Sequence, residues 1–336
     1  MTDGPLDRRG RTLRDLRISV TDRCNFRCRY CMPREHFGPG FEFLSRRAIL
    51  RFEEIARVAR VAAGEGVKKL RLTGGEPLLR AELPRLVELL AAIEGVEVAV
   101  TTNGSLLARH AEALRAAGLA RVTVSLDSLD DTTFRKLSDS SFGVSDVLDG
   151  IAAAERAGFA PIKINAVVRR GLNDAGVVEL ARRFKGTGHI VRFIEFMDTG
   201  MTNGWELGEV VPSRELIERI DRVFPIEPVS EAYRGEVAKR WRYRDGSGEL
   251  GIIASVTQPF CGDCTRARLS ADGKLYTCLF AKTGTDLRDV LRGGVSDDSL
   301  RGLLREVWLA RDDHYSELRS SQTRGLARIE MSYIGG

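Results

Sequence analysis

The sequence predicts an α/β fold organised around a parallel sheet. Between Leu16 and Phe196, six short β-rich runs alternate with helical stretches. Strands that alternate with helices pair in parallel through right-handed crossovers. After Phe196 that rhythm stops, which divides residues 1–200 from a C-terminal region of residues 201–336. An open sheet and a barrel both fit the pattern. Six units rather than eight argue against a complete eight-fold barrel.

The six runs are Leu16–Val20, Lys69–Thr73, Glu97–Thr101, Arg121–Leu126, Ile162–Val168 and Ile190–Phe196. After the first, Ser45 is placed to cap a long helix whose Ala48, Ile49, Phe52, Ile55, Ala56 and Ala59 share one face. Leu83–Ile93, Leu106–Ala117, Val144–Ala157 and Ala175–Phe184 read as the next helices. Gly118 and Gly158 follow two of them, where a left-handed cap is wanted. Beyond Phe196, Met201–Gly208 reads as a loop, Ser213–Arg222 as a short helix, Arg242–Gly262 as strands and turns, and Leu300–Leu309 as a helix. The closing Ser332–Gly336 is too small and flexible to be core at its tip. In either architecture the chemistry belongs where strands end, at Thr73–Pro77, Thr101–Gly104, Ser125–Asp127 and Met197–Asp198.

Composition narrows the class. With 43% apolar and 29% charged residues over 336 positions, the chain buries an ample core and needs no metal or disulfide merely to fold. Global disorder is excluded. A net charge of +5 favours an anionic partner. Met1–Arg17 lacks the apolar segment of a signal peptide, and no apolar run is long enough to span a membrane. The expectation is therefore a cytoplasmic protein, where clustered cysteines mean metal or catalysis rather than disulfides.

The six cysteines fall three and three. Cys24-Asn-Phe-Arg-Cys28-Arg-Tyr-Cys31 can gather three thiolates from one loop. Three ligands are one short of a closed zinc site or an ordinary iron–sulfur cube, and an open coordination position is what catalysis uses. Arg23, Arg27 and Arg29 are placed to favour thiolates. Three reduced cysteines, or a zinc ion completed by a distant residue, also satisfy this spacing. Cys261-Gly-Asp-Cys264 and Cys278 form a second set of three, and Asp272-Gly273 between them reads as a hairpin that brings Cys278 back. None of the four histidines stands at zinc-finger spacing, which weakens structural zinc here.

The first motif, at the end of a first strand, resembles the signature of the radical S-adenosylmethionine (SAM) enzymes. The resemblance implies that Cys24, Cys28 and Cys31 hold a [4Fe–4S] cluster whose open iron binds SAM, with Tyr30 packing near the adenine. Thr73-Gly74-Gly75-Glu76-Pro77 resembles the family's second feature, which implies SAM contacts from Gly75 and Glu76. Ser125 and Met197 match positions that line the same cofactor.

Nearly end to end, the chain resembles the molybdenum cofactor biosynthesis protein A family of GTP 3′,8-cyclases. The segments that carry this are Leu16–Cys24, Thr73–Pro77, Arg192–Met197, Cys261–Arg268, Asp272–Leu275 and the terminal Gly335-Gly336. The resemblance implies an incomplete (β/α)6 TIM-type barrel closed by the C-terminal region. It implies a second [4Fe–4S] cluster on Cys261, Cys264 and Cys278, with GTP as substrate and (8S)-3′,8-cyclo-7,8-dihydroguanosine 5′-triphosphate as product. It places Arg17 beside the first three cysteines in catalysis. It implies GTP contacts from Arg17, Arg71, Thr102, Lys163, Arg192, Arg266 and Arg268, in keeping with the affinity of guanidinium and ammonium groups for phosphate. Lys163 lies in an otherwise apolar strand, where burial without a partner is costly, so a site role fits it. The Gly-Gly tail is expected in the active site.

By the same resemblance the chain takes electrons from a donor protein, hands its product to cyclic pyranopterin monophosphate synthase and forms a homodimer, with no nucleic acid or membrane as partner. Thr265 stands where the family commonly has Asn, and Asp198-Thr199 where Pro-Met is common. Two other readings remain: a radical SAM enzyme with an auxiliary cluster acting on a peptide or other substrate, and a basic zinc-binding nucleic-acid module. The second lacks a fourth ligand, a recognition helix and a stacking pattern of aromatics.

Overall fold

The computed structural model describes residues 4–319 and 327–335; Gly336 and residues 1–3 lie outside the described residues. In chain order the elements are β1 (Asp15–Ser19), α1 (Phe52–Gly64), β2 (Lys69–Thr73), α2 (Leu83–Ala91), β3 (Glu97–Thr102), α3 (Leu107–Ala116), β4 (Arg121–Ser125), α4 (Asp131–Ser138), α5 (Val144–Arg156), β5 (Lys163–Val168), α6 (Val177–Phe184) and β6 (Ile190–Glu195). The C-terminal region adds α7 (Ser213–Asp221), β7 (Ile226–Val229), β8 (Lys239–Tyr243), β9 (Glu249–Ile253), β10 (Arg266–Leu269), β11 (Lys274–Tyr276), β12 (Thr285–Asp286), α8 (Arg288–Arg292), α9 (Asp297–Leu309), α10 (Tyr315–Leu318) and α11 (Met331–Ile334).

Among the described residues all twelve strands join one sheet, in the order β12-β11-β10-β1-β2-β3-β4-β5-β6-β9-β8-β7. Strands β1 to β6 lie side by side in sequence order and pair in parallel. The C-terminal region flanks both edges. Strand β10 pairs in parallel with β1, and β9 with β6. Two antiparallel ribbons, β10-β11-β12 and β9-β8-β7, finish the ends. Eight strands therefore run parallel although only six belong to βα units, and the sheet does not close on itself among the described residues.

Period-two alternation explains the core. In β1 and β2, Leu16, Ile18, Leu70 and Leu72 are buried, and so are Val98 and Val100 in β3, Val122 and Val124 in β4, and Ile164 in β5. They meet the apolar faces of the helices, such as Ile55, Val58, Ala59 and Ala62 of α1. Each such side chain contributes roughly 1.5–3 kcal/mol when fully buried.

The first helix begins later than Ser45 predicts. Ser45 caps only a turn, accepting from the Ala48 N–H at 3.3 Å. The Leu50 N–H then donates to the Ala271 carbonyl, which pulls the chain out of helical geometry. Glu54 restarts it by accepting the Arg51 N–H at 2.7 Å. Helix α4 carries no prediction; its marker is Asp130, which accepts the Thr133 N–H as an N-cap. The expected hairpin at Asp272-Gly273 is present, with Gly273 at φ +89° and β10 antiparallel to β11. The chain end departs from what its composition suggests: Ser332, Ile334 and Gly335 are buried rather than loose, in line with a tail that reaches the site.

Candidate functional site

The inward strand positions are polar, so the inside of the curved sheet is a cavity rather than a packed barrel core. It measures about 360 Å³, within the range of small-molecule sites. All six cysteines line it, and none is in a disulfide.

The first cysteine loop leaves the end of β1 and is held by the turn after β2. The Gly75 N–H donates to the Thr21 carbonyl and the Glu76 N–H to the Arg23 carbonyl, both at 2.8 Å. A Cβ on Gly75 would stand 2.2 Å from the Arg23 carbonyl oxygen, so the glycine is required by backbone meeting backbone. Glu76 is buried, and its carboxylate accepts from the Leu78 N–H, the Asn103 N–H and the Thr102 hydroxyl. Burial still pushes it up to about 7. Thr102 therefore lies beside the first cysteine loop, with its hydroxyl committed to Glu76. Asn103 Nδ2 faces the Cys24 sulfur at 4.0 Å and bonds Asn25 at 2.8 Å.

Of the thiolate support expected from neighbouring arginines, Arg27 does favour the Cys24 thiolate, but burial and Glu76 outweigh it. Arg27 spends its guanidinium on the carbonyls of Cys24, Phe26 and Phe37, and both Arg23 and Arg27 lie over the Phe43 ring. Burial and Glu76 push the Cys24 thiol up to about 12, and burial raises Cys28 and Cys31 as well. Tyr30 donates to Asp127 at 2.7 Å, and Asp127 also accepts the Val167 N–H at 2.8 Å. Burial lifts the Asp127 carboxyl to about 6. Ser125, at the end of β4, and Met197, just past β6, face the same space.

Cations fill the other side. In register across β10, β1 and β2 stand Arg268, Arg17 and Arg71, and Lys69, Lys163, Arg192 and Arg266 share their cavity. Among the described residues none of these seven has a carboxylate within ion-pair distance. Burial and the neighbouring charges Arg268, Arg266 and Arg71 pull Arg17 down. Burial and Arg266 bring Arg268 to about 10. Lys163 falls to about 8 through burial and the charges of Arg192, Arg121, Lys69 and Arg71. Arg71 donates to Thr101 and Thr123, Arg192 to Asn165, and Arg268 to the Gly335 carbonyl. Gly335 stands at φ +73°, and a Cβ there would lie 2.0 Å from Thr73 Oγ1.

The second cysteine group adjoins these cations. Arg266 and Arg311 each donate to the Cys264 sulfur, at 3.3 and 3.2 Å. Burial pushes that thiol up, but the two guanidiniums outweigh it and bring it down to about 6. Cys278 moves the other way, to about 12, through burial and Asp313. The structure thus brings every residue predicted for the site to one cavity or its wall. Sequence reasoning missed Lys69, which shares a face with Arg71 two positions on; Asp127, seen only as a polar strand end; and Arg311, which no local pattern marks.

A family profile described as Radical SAM superfamily matches residues 18–184, and one described as Molybdenum Cofactor Synthesis C matches residues 189–317. The GTP 3′,8-cyclase of Acidothermus cellulolyticus is 55% identical over the full length of both chains. The chain belongs to the GTP 3′,8-cyclase family. Within that family, the enzyme of Xanthomonas axonopodis pv. citri is 52% identical over the full length of both chains, and that of Staphylococcus epidermidis 47% over 98% of each. Solved radical SAM structures share the fold at much lower identity. Streptococcus suis SuiB bound to S-adenosylmethionine superposes with a TM-score of 0.63 at 16% identity, covering 87% of this chain and 68% of that one. Methylornithine synthase gives 0.51 at 17%, over 64% and 63%. Membership in this family sets aside the zinc-binding nucleic-acid module. No helix among the described residues is long and apolar enough to cross a membrane.

Proposed function

We propose that this family member is a radical SAM GTP 3′,8-cyclase that converts GTP into (8S)-3′,8-cyclo-7,8-dihydroguanosine 5′-triphosphate, the first step of molybdenum cofactor biosynthesis. The observation that carries the substrate is the set of seven cavity cations that have no carboxylate partner among the described residues. Burying unpaired charge costs several kcal/mol per ion, and a polyanion such as a triphosphate removes that cost on binding.

The donor chemistry fits two [4Fe–4S] clusters, one on Cys24, Cys28 and Cys31 and one on Cys261, Cys264 and Cys278. Each set offers three free thiols to one cavity. Among the described residues no group of three or more His, Cys, Asp or Glu is close enough to hold a single ion. Thiolates on separate corners of a cube stand further apart than ligands of one ion. With SAM bound, a cluster held by Cys24, Cys28 and Cys31 would supply the one-electron reduction that starts radical chemistry at the ribose.

This chain's own residues bind, orient and exclude water. Gly75, Glu76, Tyr30, Ser125 and Met197 are assigned to the SAM side. Arg17, Arg71, Lys163, Arg192, Arg266 and Arg268 are assigned to GTP, with Lys69 added. Thr102 acts through Glu76. The buried Gly335 brings the tail to Arg268. Positioning of this kind removes the entropy of bringing two ligands together. The free thiols fit a reducing cytoplasm. A donor protein for electrons, transfer of the product to cyclic pyranopterin monophosphate synthase, and a homodimer belong to the same proposal through the family resemblance.

An anaerobic incubation with GTP, SAM and a strong reductant tests the assignment. The expected result is 5′-deoxyadenosine and the cyclised nucleotide in equal amounts. Turnover that does not need GTP overturns the proposal in favour of another substrate.

A further inference from the structure

Outside the residues assigned to SAM and GTP lies a fully buried ionic network at the N-terminus. We propose that the triad Asp7–Arg11–Arg311 is the positioning device of the second cysteine site, holding the backbone on which all three thiols are carried. The proposal rests on the reading that Cys261, Cys264 and Cys278 hold a [4Fe–4S] cluster.

The side chains of Asp7 and Arg11 have no exposed surface, and that of Arg311 is 1% exposed. Asp7 accepts four donors: the Arg9 and Arg11 N–H groups at 2.9 Å, Arg11 Nε at 2.6 Å and Arg311 Nη1 at 3.1 Å. The carboxylate thereby fixes both guanidinium planes, and each plane turns at least one donor toward the cysteines. Arg11 Nη1 donates to the Cys261 carbonyl at 2.7 Å. Arg311 Nη1 donates to the Cys264 carbonyl at 2.8 Å, Nη2 to the Cys264 sulfur at 3.2 Å, and Nε to the carbonyl of Thr277, next to Cys278, at 3.1 Å. The Trp308 ring lies under Arg311, and its Nε1 donates to the Arg11 carbonyl at 3.0 Å.

Two features distinguish this from an ordinary structural ion pair. A buried ion network is seldom more stable than an apolar plug of equal volume, so its use needs a reason in its donors. Here those donors end on two cysteine-bearing segments, Cys261–Cys264 before β10 and Thr277–Cys278 after β11, both 250 or more residues from Arg11 in sequence. Asp313, 3.4 Å from Arg311 Nε, balances the triad's remaining positive charge, so what the network offers the site is directed donors rather than net charge. Hydrogen bonds donated to ligand sulfurs orient them and raise the reduction potential of a cluster. Arginine's rigid fork is essential, because lysine keeps the charge but cannot serve two carbonyls and a sulfur at fixed angles.

The test uses the full chain, reconstituted anaerobically, as wild type, Arg311→Lys, Asp7→Asn and Cys264→Ser. Iron per chain, the electron paramagnetic resonance of the reduced protein with and without SAM, and iron loss to a chelator are measured. Wild type should carry about eight irons. Arg311→Lys should release the SAM-insensitive half roughly 10- to 100-fold faster and lower its potential, while the SAM-responsive signal stays unchanged. Asp7→Asn should move the same way, and Cys264→Ser marks which signal is the second cluster. Wild-type potential and iron retention in both variants overturn the proposal. So does parallel loss of both clusters with a lower Tm of the apoprotein, which makes the triad a fold element. About four irons in wild type, all SAM-responsive, refute the two-cluster reading itself.

Discussion

On the proposed assignment of Lys163 to GTP, this lysine should set an alkaline limit on binding. Burial and four nearby cations lower its ammonium from 10.5 to about 8. At 1.36 kcal/mol per unit, this opposes the charged form by about 3 kcal/mol, an order-of-magnitude figure. The sign follows from the direction of the shift. The folded-state value lies below the unfolded one, so the protonated lysine destabilises the apoprotein below about pH 8. That cost fades as pH rises from about 8 toward 10.4. GTP binding runs the opposite way, because only the protonated lysine attracts the triphosphate. The terminal phosphate has its last pKa near about 6 and is already ionised, so the pH slope belongs to the enzyme. Equilibrium binding of GTP without SAM, followed anaerobically from pH 7 to 9.5, should be flat to about pH 8. Above that it should weaken, by tenfold per unit at most. Lys163→Gln should bind about 10- to 100-fold more weakly at pH 7, as expected for a lost charged hydrogen bond, and show no slope near pH 8. An identical slope in Lys163→Gln refutes the reasoning.

Arg17→Ala should weaken GTP binding about 10- to 100-fold, the worth of a charge-assisted bond, with iron content unchanged; calorimetry and iron analysis check both halves. Gly75→Ala pushes a methyl group into the Arg23 carbonyl, so it should cost about 1–3 kcal/mol and lower the iron retained by the first cysteine site, read by thermal melting and iron assay. Gly335→Ala meets Thr73 and an unfavourable φ, so the tail should leave the cavity; product formation should fall while apoprotein Tm is unchanged.

Much of the fold was legible because both periodicities were strong. All six strands appear within a residue or two of the predicted runs, since apolar positions at spacing two must face the helices. The start of α1 was not legible, because Ala271, more than 200 residues away, takes the hydrogen bond that the helix would have used. The same limit explains why β9 and β10 were not placed. Parallel pairing with β6 and β1 is decided by where the C-terminal region docks, not by either strand's own residues. In the site, the cysteine loop and the glycine pair that the sequence singles out do meet, and there the glycines serve backbone contact with that loop. Arg311 and Asp127 were invisible because their roles come from partners distant in sequence.

The charges explain how one cavity keeps two ligands apart. Toward the first cysteine loop the buried ionisable groups are acidic, Glu76 and Asp127, and the thiols are raised. Toward the second they are cationic, and Cys264 is lowered to about 6 by Arg266 and Arg311. SAM carries a sulfonium and an ammonium against a single carboxylate, whereas GTP is a polyanion. Exchanging them would put the triphosphate beside Glu76 and the sulfonium beside Arg17, and like charges in a low-dielectric interior repel strongly. On the proposed assignment, SAM at one end and GTP at the other are oriented by repulsion from the wrong side as much as by attraction to the right one. The stability lost to unpaired arginines and a depressed lysine is the physical counterpart of that selectivity.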